Sequence, residues 1–274
     1  MNIVNILEEI EKVDGDVYER LSPRRKAMQS FFNMGSKIAL AAVPLALGSM
    51  FKKAYGATPT QVLEVLNFAL TLEHLEYNFY KLGYASAPIP DGAPKGAIMT
   101  IRDHEDAHVK FLQTTITGAG GTPVPQANYD FTAGGAFADV FSNYATFLAV
   151  AQVFEDTGVR AYKGQAGALL GTGPVLTAAL GIHSVEARHA SHIRQMRRNT
   201  GQMPTIKPWI TGGNDTGIGP AVNGSFAGEE NVVQATINIT GINGQAISAD
   251  AASAAFDEPL SKNQILAIVT PFFA

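Results

Sequence analysis

The apolar positions in the middle of the chain recur every three or four residues, which is the spacing of one helix face. The pattern occurs in four segments, and it predicts four helices at about residues 58–84, 95–117, 138–164 and 174–200. Thr58-Pro59-Thr60-Gln61 marks the first start, because it combines a capping box with proline at the first helical position. Four such segments with one apolar stripe each predict an all-α four-helix bundle.

The segments outside the four helices differ in kind. The connection between the second and third helices, which contains GAGGTPVPQANYDFTAGG, is long for a compact domain and predicts a crossover along the bundle. After residue 200, alternation at Val233, Ala235, Ile237 and Ile239, followed by Asn243-Gly244, predicts a small β-hairpin. A capping box at Ser261-Lys262-Asn263-Gln264 predicts a short helix. We therefore expect a bundle at 58–200 and a C-terminal extension at 201–274.

Residues 1–57 form a separate N-terminal part of the sequence. An apolar stripe within residues 1–20 predicts a short amphipathic helix. Arg24-Arg25, the apolar run 38–51 and a cleavage site near Gly56 or Ala57 follow in the order of a twin-arginine export signal. This order predicts a protein exported from the cytoplasm.

An uncleaved N-terminal segment is the alternative to an export signal. Residues 1–57 would then be retained as a helix packed on the domain or on a partner, and the protein would be cytoplasmic. The apolar run 38–51 has 14 residues, whereas a membrane span needs about 20. Contact with a membrane is therefore expected only through residues 38–51, and only if this run is not cleaved.

The overall composition narrows the functional classes. Hydrophobic residues make up 46% of the 274 residues and charged residues 16%, which suits a globular domain. The net charge of -4 shows no basic excess, so we do not expect a nucleic-acid partner. The chain has no cysteine, and any metal ion must be bound by oxygen and nitrogen atoms.

Each of the four apolar stripes carries a glutamate near its middle. In the second and fourth helices a histidine follows that glutamate three residues later, on the same helix face. The six residues are Glu73, Glu105, His108, Glu155, Glu186 and His189. Four carboxylates at one level of an apolar core cost several kcal/mol each unless protons or cations neutralise them.

Two divalent ions would supply a charge of +4 against these four carboxylates. Neutral imidazoles of His108 and His189 would occupy one position on each ion and leave others open to water, dioxygen or peroxide. One glutamate from each of two helices and Glu-x-x-His from each of two others is the ligand set of carboxylate-bridged dimetal bundles. The sequence therefore predicts a dimetal site.

The two halves of the bundle repeat each other. Glu73 and Glu105 are 32 residues apart, Glu155 and Glu186 are 31 apart, and a tyrosine follows the first glutamate of each half by seven residues. These tyrosines, Tyr80 and Tyr162, are either core aromatics or hydrogen-bond partners of the opposite hairpin's carboxylate.

Several other polar residues lie close to the predicted ligands. Glu76 could compete with Glu73 as a ligand, although it falls beside the stripe. His183 either orients a ligand or is a satisfied core histidine. We expect the remaining ones on the solvated surface: His74, Asp103, His104, Asp106 and His192.

Four segments resemble the ligand-bearing helices of the ferritin-like superfamily: LNFALTLEHLEYNFY, IRDHEDAHVKFL, FEDTGVRAY and VEARHASHIR. GGTPVPQANYDF and the final AFDEPLSKNQILAIVTPFF look similar to bacterial ferritin-like proteins related to plant desiccation-related proteins, which often carry a twin-arginine signal. The resemblance implies a ferritin-like fold and two iron or two manganese ions at the six residues named above. It implies no single reaction, because the superfamily includes ferroxidases, peroxidases, manganese catalases and oxygenases.

Three functions remain as expectations from the sequence. The first is a dimetal oxidoreductase of the ferroxidase or peroxidase type, with O2 or H2O2 as its small-molecule partner, and the second is a manganese catalase. The third is a stress-protective or structural protein in which the metal ions mainly hold the bundle together. A homo-oligomer is compatible with all three.

Overall fold

The computed structural model describes residues 59–201 and 203–274. The predicted N-terminal helix, the export signal and the membrane contact of residues 38–51 lie outside the described residues. Among the described residues, no helix has the length and apolar character needed to cross a membrane.

Four long helices form the main body, so the predicted all-α bundle is confirmed. They are α1 (Pro59–Ser86), α2 (Ala93–Gly118), α3 (Tyr144–Ala166) and α4 (Pro174–Asn199). The predicted start of the third helix was wrong by six residues. The side chain of Asn143 caps α3 by accepting a 3.0 Å hydrogen bond from the Ala145 N–H, and the residues before it form turns.

The helices pack as two hairpins, α1 with α2 and α3 with α4. The hairpins meet through aromatic residues on α1 and α3. The ring of Phe147 stacks on that of Phe79 with centroids 4.9 Å apart, and Phe154 meets Phe79 edge-on at 5.0 Å. Gly83 permits this approach, since a Cβ atom there would lie 2.1 Å from the Phe147 ring.

The long crossover between α2 and α3 is confirmed, and the end of the chain secures it. Tyr129 and Phe273 form an isolated antiparallel β-bridge. The Asp130 N–H donates to the Phe272 carbonyl at 2.9 Å, and the Ala274 N–H donates to the Asn128 carbonyl at 3.0 Å. The last residues of the chain therefore fix the path of the crossover.

The C-terminal extension contains short elements: α5 (Asn223–Phe226), β1 (Val233–Gln234), β2 (Ile237–Asn238), α6 (Ala249–Ser253) and α7 (Lys262–Val269). The predicted hairpin is confirmed, and α7 begins at the predicted capping box of Ser261 and Gln264. The hairpin turn, however, lies at Ala235 and Thr236, where φ is 48° and 72°. Two consecutive positive φ angles match the twist of a tight hairpin, so Asn243-Gly244 is not the turn.

Arg160 of α3 joins the extension to the bundle. This fully buried guanidinium donates to the carbonyls of Glu258 at 2.7 Å, Ser225 at 2.5 Å and Ala227 at 2.5 Å. Its charge is balanced by Glu229, whose Oε1 lies 2.8 Å from Nε. One turn further along α3, Gly164 lies so close to the Leu260 carbonyl that a Cβ atom would be 2.0 Å from its oxygen.

A second arginine joins the extension to α4. Arg194 pairs with Asp156 through Nε at 3.0 Å and Nη2 at 2.6 Å, and its Nη1 donates to the Trp209 carbonyl at 3.1 Å. Both charged groups are buried, and a buried pair of this kind is strongly destabilised when one partner is removed. The two arginines thus fix the extension to both helices of the second hairpin.

Candidate metal centre

The structure brings all six sequence-predicted ligands together inside the bundle. The four glutamates are fully buried, and the two histidines are at most 9% exposed. Their side chains form two overlapping groups in which the potential ligand atoms all lie within 4.8 Å of one another. The first, the Glu73 group, contains Glu73, Glu105, His108 and Glu186. The second, the Glu155 group, contains Glu105, Glu155, Glu186 and His189.

Each group combines a histidine with glutamates from three helices. Nδ1 of His108 lies 3.1 Å from Glu73 Oε2, 3.1 Å from Glu105 Oε2 and 3.3 Å from Glu186 Oε1. Nδ1 of His189 lies 2.9 Å from Glu105 Oε1 and 3.3 Å from Glu155 Oε2. Glu105 and Glu186 belong to both groups, so two ions held here would share them.

The two repeat tyrosines connect the hairpins. The hydroxyl of Tyr80 on α1 donates a 2.5 Å hydrogen bond to Glu155 Oε1 on α3, and that of Tyr162 on α3 donates to Glu73 Oε1 on α1. Both are therefore hydrogen-bond partners of the opposite hairpin's carboxylate. Burial raises the pKa of each tyrosine well above its usual value, so both hydroxyls keep their protons.

Glu76 is a fifth buried carboxylate that belongs to neither group. It is 4% exposed, and the space it fills lies next to Gly158, where a Cβ atom would be 3.2 Å from Glu76 Oε1 and 3.1 Å from Glu186 Oε2. Gly158 follows Glu155 by three residues, as Glu76 follows Glu73. The repeat thus has a glutamate at this position in one half and a glycine in the other. In the sequence, this difference was the signal that could have revealed a fifth buried carboxylate.

Burial makes most of the carboxyl groups hard to ionise. Burial raises the pKa of Glu73 to about 7 despite its contact with His108, and it raises the pKa of Glu155 and, more strongly, that of Glu186. Glu105 differs, because the hydrogen bond with His108 and the charge of both histidines outweigh its burial and hold its pKa below the usual value. When no metal ion is bound, protons on the carboxyl groups and the charges of the two imidazolium rings therefore neutralise the four glutamates.

The pKa values of the two histidines are also raised, because the neighbouring carboxylates outweigh the effect of burial. Burial disfavours the imidazolium, but the charge of Glu155 and the close carboxylate oxygens of Glu105 and Glu155 raise the pKa of His189 to about 11. Glu73, with Glu105 and Glu186, raises the pKa of His108 in the same way. Each histidine must lose a proton before Nδ1 can act as a metal ligand.

The unpaired atoms of the two groups fit a metal ion. Among the described residues, the following buried atoms have no hydrogen-bond partner: Glu105 Oε1, Glu155 Oε2, both Oε atoms of Glu186 and Nδ1 of His189. Some of them lie 2.9 to 3.3 Å apart without the alignment of a hydrogen bond. Adjacent ligands about 2.1 Å from an octahedral ion are about 3 Å apart, so this spacing suits such an ion.

Two histidines placed on the surface by sequence reasoning are located differently. His74 is only 5% exposed, because the crossover covers this part of α1, where the Val124 N–H donates to Asn67 Oδ1 at 2.8 Å. His104 is exposed as predicted, yet its Nδ1 lies 2.9 Å from Nε2 of His189. The prediction of a surface His74 was thus wrong, and that of a purely solvated His104 was incomplete.

The other neighbouring residues remain outside the centre. Asp103 and His192 are exposed, and Asp106 is partly exposed and pairs with Lys110. His183 is half-buried and belongs to neither ligand group. His104 is the polar neighbour that contacts a ligand histidine, through Nε2 of His189.

A four-helix bundle with two overlapping groups of buried carboxylates and histidines is the architecture of a class of helical metal-binding proteins. The family model described as ferritin-like domain matches residues 61–199, just over half of the chain. The chain belongs to this ferritin-like domain family. No curated protein matches the chain.

Proposed function

We propose that the protein is a dimetal carboxylate oxidoreductase that binds two iron or two manganese ions and acts on O2 or H2O2, as ferroxidases and peroxidases do. The observation that carries this proposal is the pair of overlapping ligand groups with one histidine in each. Two groups with two shared glutamates fit two adjacent ions better than one. Both metals accept a ligand set rich in oxygen, so the ligand types do not choose between them.

Each of the six ligands has a defined part in this proposal. Glu73 and His108 would hold one ion and Glu155 and His189 the other, while Glu105 and Glu186, which belong to both groups, would contribute to both positions. When bound, the ions supply the redox and Lewis-acid chemistry for reducing O2 or peroxide. The shared carboxylates can redistribute negative charge between the two positions without a change in net charge.

The residues around the ligands exclude water and hold protons. The glutamates are fully buried, so charge in the site is screened much less than at the surface. Tyr80 and Tyr162 keep their hydroxyl protons and donate hydrogen bonds to Glu155 and Glu73, which fixes the orientation of these two carboxylates. The site is therefore organised before a metal ion binds.

Anaerobic metal loading followed by stopped-flow spectroscopy tests the proposal. The protein should bind two Fe²⁺ or Mn²⁺ ions per chain, and mixing with O2 or H2O2 should change its absorbance while the oxidant is consumed. Glu64→Ala on the exposed side of α1 is the matched control and should behave as the wild type. The proposed oxidoreductase activity would be refuted if the protein binds no metal, or if the metal-loaded protein reacts with neither oxidant.

Two alternative functions are outcomes of the same experiment. Rapid disproportionation of H2O2 by the manganese form alone would favour a manganese catalase. A loaded but inert protein with a much higher melting temperature would favour a stress-protective or structural role. The origin of the ligands on all four long helices supports that role, because one pair of ions would join both hairpins.

Export, family branch and assembly are further parts of the proposal. The twin arginines and the apolar run of residues 24–57 support export by a twin-arginine signal, with retention in the cytoplasm as the alternative. Mass spectrometry of the mature N-terminus tests this, and an intact residue 1 would refute cleavage. The likeness of GGTPVPQANYDF supports the desiccation-related branch. A homo-oligomer remains a proposal that sedimentation analysis would test.

A further inference from the structure

The two ring nitrogens of His189 face different partners. Nδ1 faces the Glu155 group, 2.9 Å from Glu105 Oε1 and 3.3 Å from Glu155 Oε2. Nε2 faces the other way and lies 2.9 Å from Nδ1 of His104. The two imidazole rings lie edge to edge and nearly in one plane, with centroids 5.2 Å apart and an angle of 15° between their planes.

This contact fixes where the proton of a ligand His189 must be. A neutral imidazole can offer the Nδ1 lone pair to a metal ion only when its one proton is on Nε2. That Nε2–H then donates to Nδ1 of His104, which must be unprotonated, and the proton of His104 is on its own Nε2. His104 thus stabilises both the ring orientation and the tautomer that metal binding requires.

The sequence does not allow the equivalent contact to His108, the ligand histidine of the other hairpin. When the two Glu-x-x-His motifs are superposed, His104 precedes Glu105 and Val185 precedes Glu186. Val185 has no hydrogen-bonding side chain, so it cannot give His108 the support that His104 gives to His189. The repeated halves therefore differ at the residue behind one ligand histidine.

His104 lies at the surface end of this contact. A groove of about 530 Å³ between α2 and α4 is lined by His104, Arg188, His189 and His192, among others. His104 itself is exposed, so its replacement removes no core side chain. A variant at position 104 should accordingly fold, which makes the contact open to mutation.

We propose that His104 is a positioning residue that holds His189 for metal binding and makes the two ion positions unequal. The position formed with Glu155 and His189 depends on His104, whereas the position formed with Glu73 and His108 does not. This inference rests on the proposed two-ion site. It adds that the repeat is functionally asymmetric, with one ligand histidine supported from the surface.

Manganese binding to variants at position 104 tests the inference. Mn²⁺ is titrated anaerobically into metal-free protein, and free Mn²⁺ is measured by its electron paramagnetic resonance signal. His104→Phe keeps an aromatic ring without an acceptor, and His104→Val copies the residue at the equivalent position of the other hairpin. Both variants should bind one of the two Mn²⁺ ions about 10- to 100-fold more weakly and the other with unchanged affinity. Loss of a ligand's hydrogen-bond partner has an effect of that size.

Two further variants separate positioning from general damage. His104→Asn places an amide oxygen near the position of Nδ1 and should restore most of the lost affinity, because it can again accept from His189 Nε2. Val185→Ala is the matched control at the equivalent position of α4, and it should leave both affinities unchanged because it adds no hydrogen-bonding group. Rescue by asparagine but not by phenylalanine would show that the acceptor is what matters.

The outcomes distinguish this inference from the proposed function. A wild-type protein that binds fewer than two ions would refute the two-ion site itself. If the wild type binds two ions and His104→Phe and His104→Val bind both as tightly, the positioning role is wrong while the site stands. Equally weakened binding of both ions, or a His104→Asn variant that does not recover the lost affinity, would also overturn the positioning role.

Discussion

The hydroxyl of Tyr80 on α1 is bonded to a carboxylate oxygen of Glu155 on α3, 2.5 Å away. Tyr162 on α3 makes the reciprocal bond to Glu73 on α1. Each hairpin therefore holds a carboxylate of the other through a neutral donor. The two halves are joined at the level of the candidate metal centre, and these bonds are made without a metal ion.

Tyr80→Phe should destabilise the metal-free protein by about 1–3 kcal/mol, because it leaves a buried oxygen of Glu155 without its donor. Urea denaturation measures the free energy of unfolding. Tyr84→Phe is the control, since that hydroxyl makes only an exposed 3.9 Å contact with the Met99 sulfur, and it should change stability by no more than about 0.5 kcal/mol. Similar losses in both variants would contradict the role assigned to Tyr80.

Replacing a shared ligand should reduce the number of bound metal ions more than replacing an unshared ligand does. Glu105 belongs to both ligand groups and Glu155 to one. We expect Glu105→Ala to lose two-ion loading altogether and Glu155→Ala to retain one ion. Elemental analysis of desalted protein after manganese loading measures this. Two ions per chain in Glu105→Ala would show that the ligand assignment is wrong.

Metal binding should strengthen as pH rises from about 5.5 to 8. Burial raises the pKa of Glu73 to about 7, and carboxylate charge raises that of His189 to about 11, so both hold protons at acidic pH. Each raised pKa means that a proton must leave before the group can bind a metal ion, and a higher pH favours that loss. Calorimetry in buffers of different ionisation enthalpy should detect net proton release. An affinity independent of pH would contradict these protonation states.

Gly158→Ala should disturb the centre although alanine favours helices. The new Cβ atom would lie 3.1 Å from Glu186 Oε2 and 3.2 Å from Glu76 Oε1, and we expect a loss of about 1–3 kcal/mol from overpacking. Gly181→Ala in α4 is the matched control, because a Cβ atom there meets no described atom within 4 Å. It should gain about 0.5–1 kcal/mol from helix propensity alone. Thermal unfolding of both variants measures the difference, and a stabilised Gly158→Ala would show that the position is not crowded.

The helix stripes predicted much of this protein because a stripe records which residues share a helix face. Glu105 and His108 could be placed in the core from their spacing, and VEARH repeated the pair. The start of α3 could not be predicted in the same way. The apolar stripe continues upstream of Tyr144, and only the hydrogen bond from the Ala145 N–H to the Asn143 side chain shows where the helix begins.

Contacts between helices were the other part that the stripes did not encode. Glu76 falls beside its stripe, and it is buried because Gly158 on another helix leaves room for it. His104 lies on the outward arc of α2 but reaches His189 where α4 approaches. His74 is covered by the crossover, whose path depends on the end of the chain. Each of these depends on the distance between two elements, which the periodicity of one element does not contain.

The bonds of Arg160 also bear on where this chain can be divided. The family match ends at residue 199, but the partners of this buried guanidinium lie at Ser225, Ala227 and Glu258. A chain shortened after α4 would leave a charged group inside the protein without its acceptors. The segment that the family model matches and the segment that satisfies this buried charge therefore have different ends, and the second reaches at least to residue 258.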